Sequence, residues 1–168
     1  CNSVLNIDIE ELMDYHMEKG SDITIVYKNG KMPALSNVIV MEMNDSGKAT
    51  KIAVSPVTED NVNYSLNVVL MKKSLLERLM HEAISLNYND FEADIIQRNV
   101  NKLNIYGFEA KGYATTIDSM QTYFKANMEL LNPENCDHLF DKERPVYTKV
   151  RDDMPAIYGL GSNVKNSL

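Results

Sequence analysis

At the start of the chain, the pattern of apolar residues is first typical of a strand, then of a helix, and then of a strand again. Ser3–Ile7 has the composition of a short buried strand, and Asp8 offers a helix N-cap with Glu11 in capping-box spacing. One face of the predicted helix consists of Ile9, Leu12, Met13, His16 and Met17. Lys19-Gly20 is typical of a helix end, and the β-branched Asp22–Tyr27 predicts a strand. Strand, helix and strand in succession predict a βαβ unit whose strands pair in parallel.

The middle and end of the chain predict further strands. Val38–Met43 and Ala49–Val54 flank the turn-forming tetrad Asn44-Asp45-Ser46-Gly47, which is typical of a β-hairpin. The other apolar or β-branched segments of strand length are Ser65–Met71, Ile105–Glu109 and Tyr113–Thr116.

Three later helices are predicted from capping residues and helical spacing. The capping residues of the first are Ser74 with Glu77, and those of the last are Thr115 with Asp118. The second helix begins at Asn89 or Asp90. The apolar face of the first of them is Leu75, Leu76, Leu79, Met80, Ala83 and Ile84, and that of the last is Met120, Phe124, Met128 and Leu131. Parallel crossovers combined with an antiparallel hairpin predict an α/β fold, a three-layer sandwich around a mixed sheet.

Composition narrows the class of protein. The 168 residues are 44% hydrophobic with a net charge of −7, which fits one soluble domain and argues against nonspecific nucleic-acid binding. No apolar run is long enough to span a bilayer. The two cysteines, Cys1 and Cys136, lie far apart and form no disulfide framework or metal motif, which favours a reducing cytoplasm.

Residue chemistry alone predicts no active site. The seven glycines form neither a G-x-G-x-x-G nor a Walker pattern. The histidines His16, His81 and His138 are scattered, and the acidic pair Asp152-Asp153 is typical of a solvated or ion-paired segment rather than a metal site. We therefore expect no metal bound by this chain.

The last residues predict an extended arm. Glu143–Gly159 contains Pro145 and Pro155, lacks a helical period, and still carries the apolar residues Val146, Val150, Met154, Ile157 and Tyr158. The arm is interpreted as a domain boundary, so that residues 1–140 form the body and residues 141–168 the connection to a following domain. The chain is expected to be a piece of a longer protein, and self-association of this piece through an open sheet edge is expected.

Three segments resemble bacterial glucose-1-phosphate adenylyltransferases. They are Asn6-Ile7-Asp8 with Glu18–Thr24, the helix segment Ile117–Leu131 (IDSMQTYFKANMELL), and the arm with Val164–Leu168. The resemblance implies the C-terminal part of a nucleotidyltransferase domain of glycosyltransferase-A-like fold, with the arm leading into a left-handed β-helix. It also implies that the glycine-rich ATP loop lies upstream of this chain. The family joins ATP and glucose 1-phosphate into ADP-glucose and pyrophosphate with Mg²⁺, and ADP-glucose is used for glycogen.

The departures from the family pattern concern charged residues. Cys1-Asn2-Ser3 stands where catalytic members have Gly-Asp-His, so Asn2 replaces one metal-binding aspartate. Tyr113 replaces the second, and Ala53-Val54-Ser55-Pro56 places Ser55 where the family has a lysine that contacts the sugar phosphate. A second lysine is lost in the segment Asp90–Ile96. An amide and a phenol are poor ligands for Mg²⁺.

The chain therefore resembles most the non-catalytic D-type glycogen-biosynthesis subunit of two-subunit enzymes. The resemblance implies a regulatory or structural subunit whose partner is a catalytic adenylyltransferase subunit, with no cofactor bound by this chain. Two alternatives stay open. One is an active enzyme that uses Asp8, Asp118 or an upstream acid as a substitute ligand. The other is an effector-binding sugar-phosphate module, in which Asn63 and Ser65 match the family's sugar-contacting strand beside Ser55.

Overall fold

A computed structural model describes residues 2–31, 38–54, 61–147, 161 and 163. Its strands are β1 (Ser3–Leu5), β2 (Ile23–Gly30), β3 (Ile39–Met43), β4 (Ala49–Val54), β5 (Val62–Met71), β6 (Ile105–Glu109) and β7 (Ala114–Thr116). Its helices are α1 (Ile9–Glu18), α2 (Lys73–Ser85), α3 (Met120–Glu129) and α4 (Pro133–Leu139). A π-helical turn, Phe91–Ile96, and a 3₁₀ turn, Gln97–Asn99, lie between α2 and β6. Each predicted strand and helix among these residues is present.

Five strands form a mixed sheet in the order β4-β3-β5-β2-β6. Only β2 and β6 run parallel, and the other neighbours are antiparallel. The predicted hairpin β3–β4 is confirmed, because the Asn44 side chain accepts from the Ser46 and Lys48 amides and Gly47 adopts φ +83°. That positive φ suits glycine, which has no Cβ to clash.

The predicted βαβ unit is wrong. β1 does not pair with β2 but lies antiparallel to β7 in a separate two-stranded sheet, with Ser3 opposite Thr116. Both long edges of β2 are already occupied, by β5 on one side and β6 on the other. The order of elements along the chain is that of a parallel crossover. However, strands distant in the sequence occupy both edges of β2, so β1 pairs with β7 instead.

Apolar clusters cover both faces of the five-stranded sheet. On one face, Ile23 and Ile25 of β2 pack in a cluster with Leu79 of α2 and Ile96 of the π-helical turn. On the other face, Val26 and Leu66 pack in a cluster with Leu12 of α1. The alternation of side chains along β2 supplies both clusters, as expected for a sheet covered on two sides. The fold is therefore α/β with a mixed sheet.

Two of the predicted caps are wrong. Ser74 lies inside α2, whose N-cap is Lys72 without a side-chain hydrogen bond. Thr115 lies in β7, and the capping box of α3 is formed by Ser119 and Thr122. The caps Asp8 for α1 and Asp90 for the π-helical turn are confirmed, since each carboxylate accepts backbone amide hydrogens of the first turn.

The predicted apolar face of α3 is not part of the core. Phe124 is 66% exposed and Ala126 is the buried residue of the helix. The exposed apolar residues that form this face, here named the α3 face, are Met120, Tyr123, Phe124, Met128 and Leu131. Exposed apolar surface of this kind is typical of a contact site.

Among the described residues, no helix combines the length and the apolar character needed to cross a bilayer. Of the predicted arm, the structure describes the beginning, where Arg144 forms ion pairs with Asp141 and Asp8. Residues 148–160 and the predicted start of the β-helix at Val164 lie outside the described residues.

A buried polar group links α1 to β2. The His16 Nδ1 atom lies 2.8 Å from the Thr24 hydroxyl, which donates to Ser21 Oγ at 3.1 Å. Because the Thr24 proton is directed to Ser21, the neutral imidazole carries its proton on Nδ1 and donates to Thr24. Burial lowers the pKa of His16, the nearby Lys72 lowers it further, and Asp22 opposes them.

We expect the free energy of unfolding to fall as pH drops below the unfolded histidine pKa of about 6.5. The unfolded chain takes up a proton at His16 before the folded chain does, so acid favours unfolding within that window. Urea unfolding followed by circular dichroism between pH 5 and pH 8 measures this. His16→Gln should remove that part of the pH dependence, whereas His81→Gln, on the exposed side of α2, should keep it. Equal pH profiles for the His16→Gln variant and the unaltered chain would contradict the prediction.

Candidate functional site

The described residues form an open cavity of about 770 Å³ between three parts of the fold. These parts are the end of β2 (Lys28 to Lys31), the segment from β7 into α3, and the junction of α3 with α4. The cavity wall includes the side chains of Thr116, Lys125 and Glu129 and the aromatic ring of Tyr113.

Tyr113 is a packing residue that holds α3. Only 8% of its surface is exposed, and its hydroxyl donates to Glu129 Oε2 at 3.1 Å. Burial raises the pKa of Tyr113 to about 12, and the hydrogen bond to Glu129 adds to the increase. The phenol therefore stays protonated at neutral pH and fixes the last turn of α3 against β7.

Lys28 enters the cavity wall from near the end of β2. Its ammonium donates to the Ala114 carbonyl, and the side chain is half-buried. Burial lowers the pKa of Lys28, while Glu129 raises it and Lys125 lowers it again. All three charged groups line the cavity.

Asn2, the other predicted position of a lost metal ligand, lies beside β7. Its backbone carbonyl accepts the Ile117 N–H at 2.7 Å, where β1 meets the end of β7. The antiparallel register pairs Ser3 with Thr116 and Leu5 with Ala114, so Asn2 and Tyr113 flank the two-stranded sheet at opposite ends. Tyr113 lines the cavity and Asn2 does not.

The predicted sugar-contacting residues lie elsewhere. Asn63 of β5 accepts from the Asn29 amide at 2.9 Å, and Ser65 is buried with its hydroxyl accepting from the Asn67 N–H at 3.0 Å. Asn67 has φ +59° near the irregularity in the β2–β5 register, so Ser65 stabilises this bend. Neither residue lines the cavity. Ser55 lies outside the described residues, so its role stays a prediction.

The two positions do not fit a Mg²⁺ ion. Mg²⁺ takes oxygen ligands in octahedral geometry and prefers carboxylates, whereas Tyr113 presents a protonated phenol and Asn2 a neutral amide. The two candidate substitute ligands already accept hydrogen bonds within the protein. Asp8 caps α1, and Asp118 accepts from the Thr122 hydroxyl at 2.8 Å. In the part of the chain that the structure describes, no group of three or more acidic, histidine or cysteine side chains could hold a metal.

Sequence reasoning missed Lys28, Thr116, Lys125 and Glu129. A signal existed for Lys28, which follows the apolar run of β2 directly. Lys125 and Glu129 stand four residues apart on α3, with Nζ and Oε1 3.6 Å apart. Their convergence with Thr116 depends on contacts between distant segments, which no local pattern reveals.

Thr116→Val is expected to stabilise the chain by about 1 kcal/mol. The Thr116 side chain is 7% exposed, and its hydroxyl is buried without a hydrogen-bond partner among the described residues. Valine keeps the shape and removes the unpaired hydroxyl. Urea unfolding measures the difference. Thr115→Val, on the neighbouring and more exposed residue of β7, is the control and should change stability by less than about 0.5 kcal/mol. A destabilised Thr116→Val variant would contradict the prediction.

The chain matches no family profile, but relatives are found along nearly its whole length. It is 28% identical over 167 residues to the glycogen biosynthesis protein GlgD of Bacillus subtilis (strain 168), covering 99% of this chain and 39% of that protein. It is 26% identical over 169 positions to the glucose-1-phosphate adenylyltransferase of Mycoplasma mobile, covering 98% of this chain and 44% of the relative.

In sequence, this chain is similar to glucose-1-phosphate adenylyltransferases and to a glycogen biosynthesis protein. A third relative, the glucose-1-phosphate adenylyltransferase of Clostridium novyi (strain NT), is 24% identical over 168 positions, which are 98% of this chain and 44% of the relative. The resemblance predicted from the sequence is confirmed, including the likeness to a glycogen-biosynthesis protein. The chain spans about two-fifths of the length of these curated relatives.

Proposed function

We propose that this chain is part of a non-catalytic, regulatory subunit of glucose-1-phosphate adenylyltransferase in glycogen biosynthesis. The observation that carries the proposal is Tyr113. Where the family resemblance predicts the second metal-binding aspartate, the chain has a buried phenol whose hydroxyl donates a hydrogen bond to Glu129 and holds α3. A residue with this packing role is built into the fold and does not serve a metal.

Loss of the charged residues favours a subunit that performs no chemistry. Transfer of a phosphoryl-type group depends almost entirely on positioning and on stabilising the charge of the transition state. Asn2, Tyr113 and Ser55 together replace two metal ligands and one cation of the family pattern. In this proposal the catalytic partner converts ATP and glucose 1-phosphate into ADP-glucose and pyrophosphate.

The glycosyltransferase-A-like domain is part of the same proposal. The mixed sheet with apolar clusters on both faces supports a three-layer domain. In the longer protein, residues 1–140 would form its C-terminal part and residues 141–168 the connection to a β-helix.

The α3 face supports a docking role. Four exposed apolar side chains lie on α3, whose single buried residue is Ala126, and the exposed Leu131 follows the helix end. A face of this kind gains free energy when it is covered, by about 25 cal/mol for each Å² of apolar surface removed from water. We propose that it contributes to the contact with the catalytic subunit.

Adding the full-length protein that carries this chain is expected to raise the rate, or the effector response, of a purified catalytic adenylyltransferase subunit from the same organism. Pyrophosphate release measures the rate. An unchanged rate and an unchanged effector response over a range of subunit ratios would contradict the proposed function.

Phe124→Ser is expected to weaken the association of the two subunits by about tenfold, because one exposed aromatic of the α3 face is lost. Its effect on the stability of the isolated protein should stay within about 0.5 kcal/mol, since Phe124 is 66% exposed. Sedimentation velocity measures the association. The matched control is Ile84→Ser, an apolar residue of α2 that is 74% exposed and lies outside the α3 face. Equal weakening by both variants would contradict a specific role for α3.

A further inference from the structure

One side of α1 is apolar and open to solvent. The buried residues of this helix are Leu12 and His16. Three exposed apolar residues, spaced four positions apart along the helix, form a row here named the α1 stripe: Ile9, Met13 and Met17. Side chains four residues apart lie above one another on one face of a helix. The α1 stripe is therefore a continuous apolar surface beside the contact of the helix with the core.

Acidic side chains border the α1 stripe. The helix contains neither lysine nor arginine, and its carboxylates are those of Glu10, Glu11, Asp14 and Glu18. Glu10 and Asp14 precede Met13 and Met17 by three residues, so they lie next to the stripe. In the described part of the chain, Glu11 pairs with Lys111, whereas neither Glu10 nor Asp14 forms an ion pair. The open side of α1 thus combines apolar and negative groups.

The arm begins at the N-terminal end of this helix. The Asn6 side-chain amide donates to the carbonyl oxygens of Leu139 and Arg144, both at 2.9 Å. The Arg144 guanidinium lies 3.9 Å from the carboxylate of Asp8, which is the N-cap of α1. The next apolar residue, Val146, is exposed. The first cation of the arm therefore already contacts the end of α1.

The sequence of the arm complements the open side of α1. Arg144–Arg151 (RPVYTKVR) contains three cations and no acidic residue, although the net charge of the chain is −7. Its part from residue 148 onward lies outside the described residues. α1 has ten residues and is about 15 Å long. The seven residues after Arg144 can span up to about 23 Å, so they are long enough to reach the last turn of the helix.

We propose that the arm binds along α1 and places Val150 on the α1 stripe. Lys149 and Arg151 then lie near the carboxylates that border the stripe. Apolar burial supplies most of the stabilisation, because exposed ion pairs contribute little. The inference goes beyond the proposed function, since it concerns how the arm is held on the body of this chain.

The occupant is the arm of the same chain and not that of a second copy. Asn6 and Asp8 hold the start of the arm beside α1, so the residues that follow are present there at a high effective concentration. A contact within one chain does not depend on protein concentration, which gives the experiment a direct criterion.

The test is limited digestion of the full-length protein with trypsin, with cleavage after Lys149 and Arg151 identified by mass spectrometry. Met13→Ser is expected to accelerate this cleavage by about fivefold, because loss of the apolar contact raises the population in which the arm is free. The matched control is Met80→Ser, which removes a methionine of α2 that is 42% exposed, against 48% for Met13. It should change the cleavage rate by less than about 1.5-fold, and circular dichroism checks that both variants fold.

The charged part of the contact is tested by salt. Raising the salt concentration from 0.05 M to 0.5 M should accelerate cleavage of the unaltered protein by about threefold, because exposed ion pairs are screened. The double variant Glu10→Gln, Asp14→Asn should show no such response. A free peptide of residues 144–154 corrects for the effect of salt on trypsin itself. A salt response retained in the double variant would overturn the placement of Lys149 and Arg151.

Equal cleavage rates in Met13→Ser and Met80→Ser would overturn the proposal, as would cleavage of the unaltered protein as fast as that of the free peptide. Cleavage per molecule that slows as the protein concentration rises a hundredfold would assign the contact to a second copy and would also overturn it. The catalytic partner is absent from these measurements, so their failure leaves the proposed function untouched, and a failure of the subunit role leaves the arm contact untouched.

Discussion

Tyr113→Asp should lower the free energy of unfolding by about 3–5 kcal/mol, although it introduces the carboxylate that the family resemblance predicts for this position. The substitution removes a buried aromatic ring and leaves space between β7 and α3. It also places a carboxylate near Glu129, whose Oε2 atom now accepts the Tyr113 proton at 3.1 Å. Two carboxylates sharing a partly buried site repel each other, so one of them takes up a proton or the helix moves away.

Urea unfolding by circular dichroism measures the loss as a lower transition midpoint at unchanged slope. The matched control is Tyr113→Phe, which keeps the ring and removes only the hydroxyl bond to Glu129, at a cost of about 1 kcal/mol. If Tyr113→Asp proved as stable as Tyr113→Phe, then Tyr113 would not have the packing role that supports the proposed function.

The second large effect concerns turnover. The full-length protein carrying this chain, purified alone and supplied with ATP, glucose 1-phosphate and Mg²⁺, should release pyrophosphate at least about 10⁴-fold more slowly than a catalytic relative. Removing a single charge-stabilising group from an active site commonly lowers the rate by about 10²–10³-fold. In the proposed function, Asn2 and Tyr113 stand where the family resemblance predicts the two metal aspartates.

Asn2→Asp alone should not restore the rate, because Tyr113 still presents a protonated phenol and Ser55 still stands where the resemblance predicts a lysine. The control is the glucose-1-phosphate adenylyltransferase of Clostridium novyi assayed under the same conditions. Turnover within about tenfold of that enzyme would refute the non-catalytic assignment and favour substitute metal ligands.

Much of the local structure was predictable from short segments. The hairpin β3–β4 depends on turn-forming residues next to one another, and the N-caps Asp8 and Asp90 depend on side chains that bond amides two or three residues ahead. The cap of α3 was misplaced because Ser, Thr and Asp residues compete for the capping position within a few residues. The cap of α2 was misplaced because its N-cap, Lys72, makes no side-chain hydrogen bond, so no capping residue marks the start of this helix.

The burial of α3 was not predictable from its own sequence. Met120, Phe124 and Met128 have the spacing of a core face, and the structure leaves them exposed. Helical spacing shows that a face is apolar but not what covers it. The same limit applies to the site, where Lys28, Thr116 and Glu129 come from separate parts of the chain.

The sequence by itself determined the elements, the hairpin and the family resemblance, because these depend on residue identity and on neighbours along the chain. The replacement of charged residues at Asn2 and Tyr113 stays a prediction from that resemblance. Only the tertiary structure decided that β1 pairs with β7, that Tyr113 holds Glu129, and that Lys28 lies in a cavity wall. The physical reason is that distant segments compete for the same sheet edges and apolar surfaces, so strand pairing and burial depend on long-range contacts. A local pattern does not identify the segment that makes those contacts.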